Sequence, residues 1–488
     1  MAFTKTPTQD TYDTKRFPLV GQPLQRNGTD ALKDQRFLNC FPEYVKAQVS
    51  DAKKFYVKKR PGLSRKQTPG AGDSRGMIWE DTTAKLFFVV GSSLYVYDGA
   101  TLTLITNTIP NVGPVGMCIH LTTSISIILL TGNAGYVINP VTNSIVQIVD
   151  PDFPLPHLPF PISMDGYLFV AAAGTADIYN SDLDDPMAWT AGNFIRAEMY
   201  PDNIIAMTKN NNYVIAVGTG SMEFFYDAGT ATGSPLARND SAVQQIGTGA
   251  AYSVVQTEKE VVLVGSTANG GRTVWMVEGF NATEVATEGV RMSLNDIGVN
   301  LGFITAFCIR IEGHKFYVLR LPTQDRTWVY DMDTKLWHEW STSIDINDTQ
   351  DVFLGKYAAD SNLGFPYLLS EVGNLYLMDD TTYQDDSQTI KMQITTLKLD
   401  FDNMNRKFMY RLSLYGDWPL NTTSTMSVEW SDDDYRTWSV PRNLQLSTDL
   451  PVIRRGGWFR RRAFRLTHTG NVPVRLEGME LDMNNGVS

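Results

Sequence analysis

Lys85-Leu-Phe-Phe-Val-Val-Gly-Ser-Ser-Leu-Tyr-Val-Tyr-Asp98 is the clearest copy of a unit that recurs between Gly76 and Asp379. Each copy has a β-rich run, a turn of Gly, Asn or Asp, and a second β-rich run. A fixed period of roughly 40–50 residues that is built only of hairpins is typical of a β-propeller. The repeat therefore predicts an all-β propeller.

Further copies of the unit follow along the chain. They include Tyr213–Tyr226 and the pair Val261–Gly265 with Thr273–Val277. The candidate repeat units are residues 76–106, 113–149, 161–200, 204–237, 248–287, 302–343 and 352–379. Because a terminal blade often borrows a strand from the far end of the array, six and seven blades both fit.

The segments that flank the repeats differ from them in pattern. Residues 1–75 are polar and partly basic, and we interpret them as an extended arm that packs on the C-terminal domain or on a neighbouring subunit. The propeller is predicted over residues 76–380 and a smaller domain over residues 381–488. Alternation of Phe408, Tyr410, Leu412 and Leu414 predicts a strand with one buried face, as in an antiparallel sandwich. This domain is therefore predicted to be a β-sandwich-like platform.

The chain is acidic, with a formal net charge of -11 over 488 residues. This charge argues against a general nucleic-acid binder, which is basic. It is compatible with a wall that DNA slides past without sticking.

Cys40, Cys118 and Cys308 are odd in number and far apart, which predicts buried thiols in a reducing compartment. The N-terminus is polar and apolar runs are short, so neither a signal peptide nor membrane insertion is predicted.

No motif for catalysis or cofactor binding stands out. The five histidines do not form a metal-binding spacing, and a P-loop is absent from the sequence. The acidic runs Asp182–Asp185 and Asp432–Asp434 are interpreted as solvated loops rather than calcium sites. We therefore predict no catalytic residues, no metal, no cofactor and no enzymatic activity.

Ser431-Asp-Asp-Asp-Tyr-Arg-Thr-Trp438 resembles the Asp-box, Ser-x-Asp-x-Gly-x-Thr-Trp, of sialidase-type propellers. Ser431, Asp433, Thr437 and Trp438 occupy the expected positions, and Tyr435 replaces the glycine. An Asp-box is a structural hairpin in which the carboxylate accepts N–H groups of the turn. It also leaves open an alternative function, a glycan-binding or sialidase-like propeller.

An arginine run near the C-terminus is the strongest local charge feature. The run Arg454-Arg-Gly-Gly-Trp-Phe-Arg-Arg-Arg-Ala-Phe-Arg465 combines arginines with aromatics, the composition of interface hot spots. A solvated strand face and a phosphate contact are the alternatives. We predict a contact with a subunit or partner that carries carboxylates. The candidate interface residues are Arg454, Arg455, Trp458, Arg460, Arg461, Arg462 and Arg465.

Four stretches in order resemble the tail nozzle proteins of short-tailed bacteriophages, also called packaged-DNA-stabilising tail proteins. The first stretch is Lys33-Asp-Gln-Arg-Phe-Leu-Asn-Cys-Phe-Pro-Glu43, and the second is Arg60-Pro-Gly-Leu63. The third comprises Gly220–Gly229, Gly247–Ala250 and Val285–Val290. The fourth begins at Thr327-Trp-Val-Tyr-Asp-Met-Asp-Thr-Lys-Leu-Trp337 and continues through the Asp-box and the arginine run.

The resemblance implies a non-enzymatic homo-hexamer in the virion tail, assembled in the host cytoplasm. Proteins of that family attach below the adaptor ring, extend the DNA exit channel and help retain the packaged genome. They also carry tail fibres, spikes or a needle. Double-stranded DNA would pass through such a ring without sequence-specific binding.

A cellular propeller scaffold that binds peptides is a third class of function compatible with the repeats.

Overall fold

The structure is a computed structural model of the 488-residue chain. It describes residues 13–20, 35–45, 54–111, 113–230, 232–342, 350–362, 364–419, 423–448 and 450–486. The chain divides into two compact units. The propeller unit comprises residues 63–337 and 345–379. The terminal unit comprises residues 1–62, 338–344 and 380–488. The predicted limits at 75/76 and 380/381 stay a prediction.

The N-terminal segment contributes five strands. They are β1 (Asp13–Pro18), β2 (Arg36–Leu38), β3 (Cys40–Val45), β4 (Lys54–Lys59) and β5 (Gly62–Gln67). The first blade consists of β6 (Ser74–Glu80), β7 (Lys85–Val90), β8 (Ser93–Tyr97) and β9 (Leu102–Thr106). The second blade consists of β10 (Gly116–Leu121), β11 (Ile125–Leu130), β12 (Gly135–Asn139) and β13 (Ser144–Gln147). The third blade consists of β14 (Ile162–Met164), β15 (Tyr167–Ala171), β16 (Asp177–Asp182) and β17 (Asp185–Arg196).

The remaining blades follow in chain order. The fourth blade consists of β18 (Ile204–Asn210), β19 (Tyr213–Gly218), β20 (Met222–Asp227) and β21 (Leu236–Arg238), and the fifth of β22 (Val255–Gln256), β23 (Glu260–Gly265), β24 (Thr273–Glu278) and β25 (Asn281–Glu284). The sixth blade consists of β26 (Thr305–Ile311), β27 (His314–Leu321), β28 (Arg326–Asp331) and β29 (Leu336–Glu339). The seventh blade contains β30 (Gly355–Asp360), β31 (Pro366–Ser370) and β32 (Leu375–Asp379).

The C-terminal segment and the helices complete the inventory of described elements. The strands are β33 (Gln384–Asp385), β34 (Gln388–Thr389), β35 (Met392–Thr395), β36 (Lys407–Asp417), β37 (Thr425–Ser431), β38 (Arg442–Gln445), β39 (Val452–Phe459), β40 (Ala463–His468) and β41 (Arg475–Asn485). The helical segments are α1 (Glu288–Asp296) and the 3₁₀ turns Ala251–Ser253, Leu301–Phe303 and Pro322–Gln324. None of the described helices is long and apolar enough to cross a bilayer.

The propeller has seven blades, which confirms the predicted fold and settles the blade number. The first strands of successive blades contact one another in a closed circle, β6, β10, β14, β18, β22, β26, β30 and again β6. The seventh blade supplies only three strands from its own repeat. β5, from the N-terminal side of the array, pairs with β32 as its fourth strand.

The apolar runs of the repeats are continuous because the middle strands are buried on both faces. In β7, Phe87 and Val89 pack into the cluster between the first and second blades. Leu86 and Phe88, which point the other way, pack into the cluster between the seventh and first blades. The two faces of β7 thus pack against the second and the seventh blade, so one strand links three neighbouring blades of the ring.

The terminal unit contains two sheets, as expected for a sandwich-like domain. One has the order β3-β4-β41-β36-β39, with β1 also paired to β41, and the other contains β2-β35-β40-β37-β38. Phe17 of β1 stacks on Phe464 of β40 with ring centroids 6.0 Å apart. Side chains from the two sheets therefore meet in one core.

Candidate functional site

The arginine run lies on β39 and β40 of the terminal unit. β39 is the outermost strand of its sheet and pairs with β36. Within that pair, Phe408 lies directly opposite Trp458. Cross-strand neighbours on one face of an antiparallel pair are close enough for their side chains to interact. The run thus joins the alternating aromatics of β36 to form one surface.

This surface exposes several large aromatic side chains. Trp458 is 53% exposed, Tyr410 is 42% exposed and Phe408 is 41% exposed. The guanidinium of Arg406 lies 4.5 Å from the centre of the Trp458 ring, a cation–π contact. The three aromatic residues, Arg406 and the exposed arginines of the run are together called the arginine–aromatic surface. These exposed arginines are Arg454, Arg455, Arg460 and Arg461.

Two arginines of the run are engaged inside the terminal unit. Arg462 is 1% exposed, and its Nε and Nη2 each lie 2.7 Å from a carboxylate oxygen of Asp432. Arg465 makes the same forked contact with Glu429, at 2.8 and 2.9 Å, and lies over the Trp438 ring. These two arginines link β40 to β37 and to the turn that follows β37.

The Asp-box residues lie in the connection between β37 and β38. The Thr437 N–H donates to Asp433 Oδ1 at 2.9 Å, and the Thr437 hydroxyl donates to Oδ2 at 2.5 Å. Ser431 donates its hydroxyl proton to Asp433 and accepts the Tyr435 N–H at 3.0 Å. Both bonds from Thr437 favour the carboxylate and lower the pKa of Asp433 to about 2. Trp438 packs near Tyr435, with ring centroids 6.1 Å apart. Asp433 thus serves the turn, as a structural Asp-box requires.

Tyr435 stands where the box has glycine, and its backbone keeps a left-handed φ of 64°. Its ring is 9% exposed, and its hydroxyl donates to the carbonyl of Thr396 at 2.9 Å. A non-glycine residue at positive φ is strained unless its surroundings hold it there. Packing and this hydrogen bond explain the departure from the motif.

Asn39 and Arg60, which lie in the first two stretches of the resemblance, are part of a buried polar network in the terminal unit. The Arg60 side chain forks onto Asp385 at 2.9 and 2.5 Å, and both side chains are 0% exposed. Arg60 Nε also donates to Asn39 Oδ1 at 2.9 Å, and that same oxygen accepts the Ser341 N–H. The sequence pattern pointed to Asn39 and Arg60 but not to Asp385.

One group of three side chains among the described residues lies close enough to share a metal ion, namely His314, Asp331 and Asp333. Asp331 already accepts the Thr334 hydroxyl at 2.8 Å and the Asp333 N–H at 2.9 Å. His314 Nδ1 lies 2.9 Å from Asp331 Oδ2, the same oxygen that accepts the Thr334 hydroxyl. These bonds are those of a closed hairpin turn between β28 and β29, and we assign no metal to it.

The three cysteines are free thiols. Burial raises the pKa of Cys118 and of Cys308 to about 12, and burial also raises the pKa of Cys40. A thiol with a raised pKa is a poor nucleophile because the thiolate is scarce at neutral pH. Cys40 is a core side chain, whereas Cys118 and Cys308 are partly buried.

The chain combines a seven-bladed propeller with a second, sandwich-like unit that exposes the arginine–aromatic surface. The family model described as "Bacteriophage P22 Gp10, beta-propeller" matches residues 22–350. The match covers more than half of the sequence, so the chain belongs to this family of phage tail structural proteins. That membership places the protein in the virion tail.

Solved structures are similar to this chain only at low identity. The S. cerevisiae Dbp5 complex with Nup159 and Gle1 contains a chain that is 12% identical, with a TM-score of 0.39, covering 71% of this chain and 97% of that one. A chain of a mitotic checkpoint complex is 12% identical, with a TM-score of 0.40, covering 68% of this chain and 98% of that one. An extracellular domain of a putative hybrid two-component system from B. thetaiotaomicron is 11% identical, with a TM-score of 0.45, covering 72% of this chain and 42% of that one. A search of curated proteins found no match.

Proposed function

We propose that this chain is the nozzle protein of a short phage tail. Six copies form a ring below the tail adaptor ring, extend the DNA exit channel and retain the packaged genome. The ring also offers attachment points for tail fibres, spikes or a needle. The observation that carries the proposal is the family match over residues 22–350, which spans the arm and most of the propeller.

The charge of the chain supports a role as a conduit. A ring of six copies would carry a formal charge of about -66, six times the -11 of one chain. Carboxylates that line a channel repel the phosphates of passing DNA and prevent it from sticking. The acidic ring would let double-stranded DNA move through without sequence-specific binding.

The arginine–aromatic surface is the proposed contact between subunits. Aromatic residues and arginine are enriched at the centres of protein interfaces, and exposed aromatic clusters are uncommon on free surfaces. Trp458 and Phe408 lie on the last two strands of a sheet, where a neighbouring chain can approach. A second copy of an acidic chain supplies the carboxylates that the exposed arginines need.

Ring assembly tests the proposal directly. Purified protein, alone or with its adaptor ring, should form six-fold rings visible by electron microscopy. The double variant Arg460→Glu with Arg461→Glu should remain folded but stay monomeric. The matched control, Lys259→Glu with Lys335→Glu, makes the same change of charge at exposed propeller turns and should still form rings. Normal rings from the arginine variant would reject this surface, and a persistently monomeric wild type would reject the nozzle itself.

A glycan-binding or sialidase-like propeller is the alternative that the Asp-box left open. The geometry of Asp433 gives it no support, because that carboxylate is engaged by Thr437 and Ser431 within the turn. A glycosidase would hydrolyse aryl glycosides as a single chain with paired carboxylates roughly 5–10 Å apart. Turnover by the purified chain would favour this alternative over the nozzle.

A further inference from the structure

The inner side of the propeller contains a pocket that spans four blades. Its volume is about 320 Å³, and its wall is formed by the first strands of blades two to five and by residues 159–161. Two of these strands are short: β14 has three residues and β22 has two, whereas β10 has six and β18 has seven. We call this space the inner-strand pocket. Its volume lies in the range of small-molecule sites.

Part of the wall of the inner-strand pocket is apolar. Met117 and Ile119 of β10 line it together with Phe160, and all three residues are only partly buried. Methionine adapts its shape to a contacting group, and an aromatic ring offers a large apolar area. This part of the wall therefore suits the apolar body of a small organic molecule.

Lys209 carries the only charge among the pocket-lining residues that the structure describes. Its Nζ donates to the Ser163 carbonyl at 3.1 Å, and none of the described carboxylates lies within 4.0 Å of it. The Ser163 hydroxyl is in turn 2.8 Å from His120 Nδ1. The charge of Lys209 also acts on the Cys118 thiol in the wall, where it opposes the rise in pKa that burial causes. An ammonium has three N–H donors, so two of them remain for an occupant of the pocket.

Two uncharged polar side chains in the wall can also serve an occupant. Thr208 is 8% exposed, and its hydroxyl makes no hydrogen bond to any residue that the structure describes. The Gln256 side-chain amide likewise has no hydrogen bond within the described part of the chain. Because β18 is the edge strand of its sheet, side chains from both of its faces can border the same pocket. A hydroxyl largely removed from solvent is stabilised by an acceptor that replaces water.

We propose that the inner-strand pocket binds a small organic carboxylate with an apolar body. The carboxylate would lie against Lys209 and accept hydrogen bonds from Thr208 and Gln256, while the body contacts Met117 and Phe160. One ammonium with neutral donors matches a single negative charge, whereas phosphate recognition favours arginine forks or several cations. The ligand would join blades two to five. This inference goes beyond the tail role and does not depend on the nozzle ring.

Three related probes test the pocket in the full-length chain. 4-Phenylbutyrate has both a carboxylate and an aromatic body, 4-phenylbutanol keeps the body without the charge, and acetate keeps the charge without the body. Calorimetry should show that 4-phenylbutyrate binds at least about tenfold more tightly than each of the others, because it alone uses both parts of the wall. In methyl NMR spectra, it should shift the signals of Met117 and Met207 but not that of Met378 in β32.

Variants of the polar side chains separate the charge from the rest of the pocket. Lys209→Met keeps the length of the side chain without its charge, and it should weaken 4-phenylbutyrate binding at least about tenfold but change 4-phenylbutanol binding less than about twofold. Thr208→Val, which replaces the hydroxyl with a methyl group, should weaken 4-phenylbutyrate binding about threefold. Lys335→Met is the matched control at an exposed turn between β28 and β29, and it should change neither affinity.

Each comparison also has a result that would overturn the proposal. Equal affinity for 4-phenylbutyrate and 4-phenylbutanol would mean that no cation recognises the carboxylate. Binding that Lys209→Met leaves unchanged, or that does not shift the Met117 signal, would place the ligand elsewhere. No measurable binding of 4-phenylbutyrate at millimolar concentration would reject the site. If Lys209→Met does not fold, the three probes and Thr208→Val decide the outcome.

Discussion

Arg60 and Asp385 form a fully buried, forked ion pair between residues that are 325 positions apart in the sequence. Arg60 directly follows β4 of the N-terminal segment, and Asp385 ends β33 in the C-terminal segment. Both side chains are 0% exposed. A buried charge is tolerated only with a partner and further hydrogen bonds, which Asn39 supplies here. This pair fixes the arm to the terminal unit.

Removing one partner of this pair should destabilise the terminal unit strongly. Arg60→Met leaves the Asp385 carboxylate buried and unpaired, and the expected loss is about 3–5 kcal/mol in the free energy of unfolding. Urea unfolding of the terminal unit measures it. The double variant Arg60→Met with Asp385→Leu should recover most of the loss, because no charge remains buried. As a control, Arg196→Met removes the surface pair with Asp177, and the midpoint should barely move. An equal loss in the single and double variants would contradict this account.

The borrowed strand should be required for closure of the propeller. Ser64 lies in β5, beside Asp379 of β32, and Ser64→Pro removes an N–H and fixes φ in a strand that pairs with β32. Hydrogen exchange should show loss of amide protection in β32 and, because the ring opens there, in the first blade. The control Val146→Pro, on the outermost strand of the second blade, should leave β32 protected. Unchanged protection of β32 in Ser64→Pro would show that the blade closes without β5.

The sequence predicted the propeller because its middle strands are encoded locally. The run that contains Leu86 and Phe88 is apolar at every position, since both faces of the strand are buried, and Gly91 marks the turn. The closing strand was not identified in the same way. β5 has only Leu63 as a buried large apolar residue and four polar side chains, so it was assigned to the arm. A borrowed strand is recognised by its partner, which the local pattern does not contain.

The candidate sites were predictable to the extent that their residues are neighbours in the chain. The Asp-box could be recognised in the sequence because Ser431, Asp433 and Thr437 interact within one turn. Asp385 lies close to the predicted domain limit at 380/381, and nothing nearby in the sequence signals that its carboxylate is buried. Likewise, the run of arginines did not reveal that Arg462 is engaged by Asp432, which lies in the turn after β37. Long-range pairing is set by the fold and not by spacing.

The Asp-box should contribute stability that depends on pH. The pKa of Asp433 is about 2, below its ordinary value of 3.8, because the Thr437 hydroxyl and N–H donate to the ionised form. A lowered carboxyl pKa stabilises the folded state above the unfolded pKa, and this stabilisation disappears as the pH falls from about 4 to about 2. The difference in melting temperature between the wild type and Asp433→Asn should be constant above pH 5 and should shrink toward pH 2. A difference that does not change with pH would contradict the assigned role.

Tyr435 should be more stabilising than the glycine it replaces in the Asp-box, despite its left-handed backbone. Glycine would relieve the strain of a φ of 64°, which is of order 1 kcal/mol. It would also remove a ring that is 9% exposed and the hydrogen bond to Thr396. Loss of a buried aromatic side chain costs about 3–5 kcal/mol, so Tyr435→Gly should destabilise the terminal unit by about 2–4 kcal/mol in urea unfolding. Tyr435→Phe, which keeps the ring, should cost about 1 kcal/mol, because only the hydrogen bond is lost. Greater stability of Tyr435→Gly would mean that the strain outweighs the packing, and the turn would then prefer the consensus glycine.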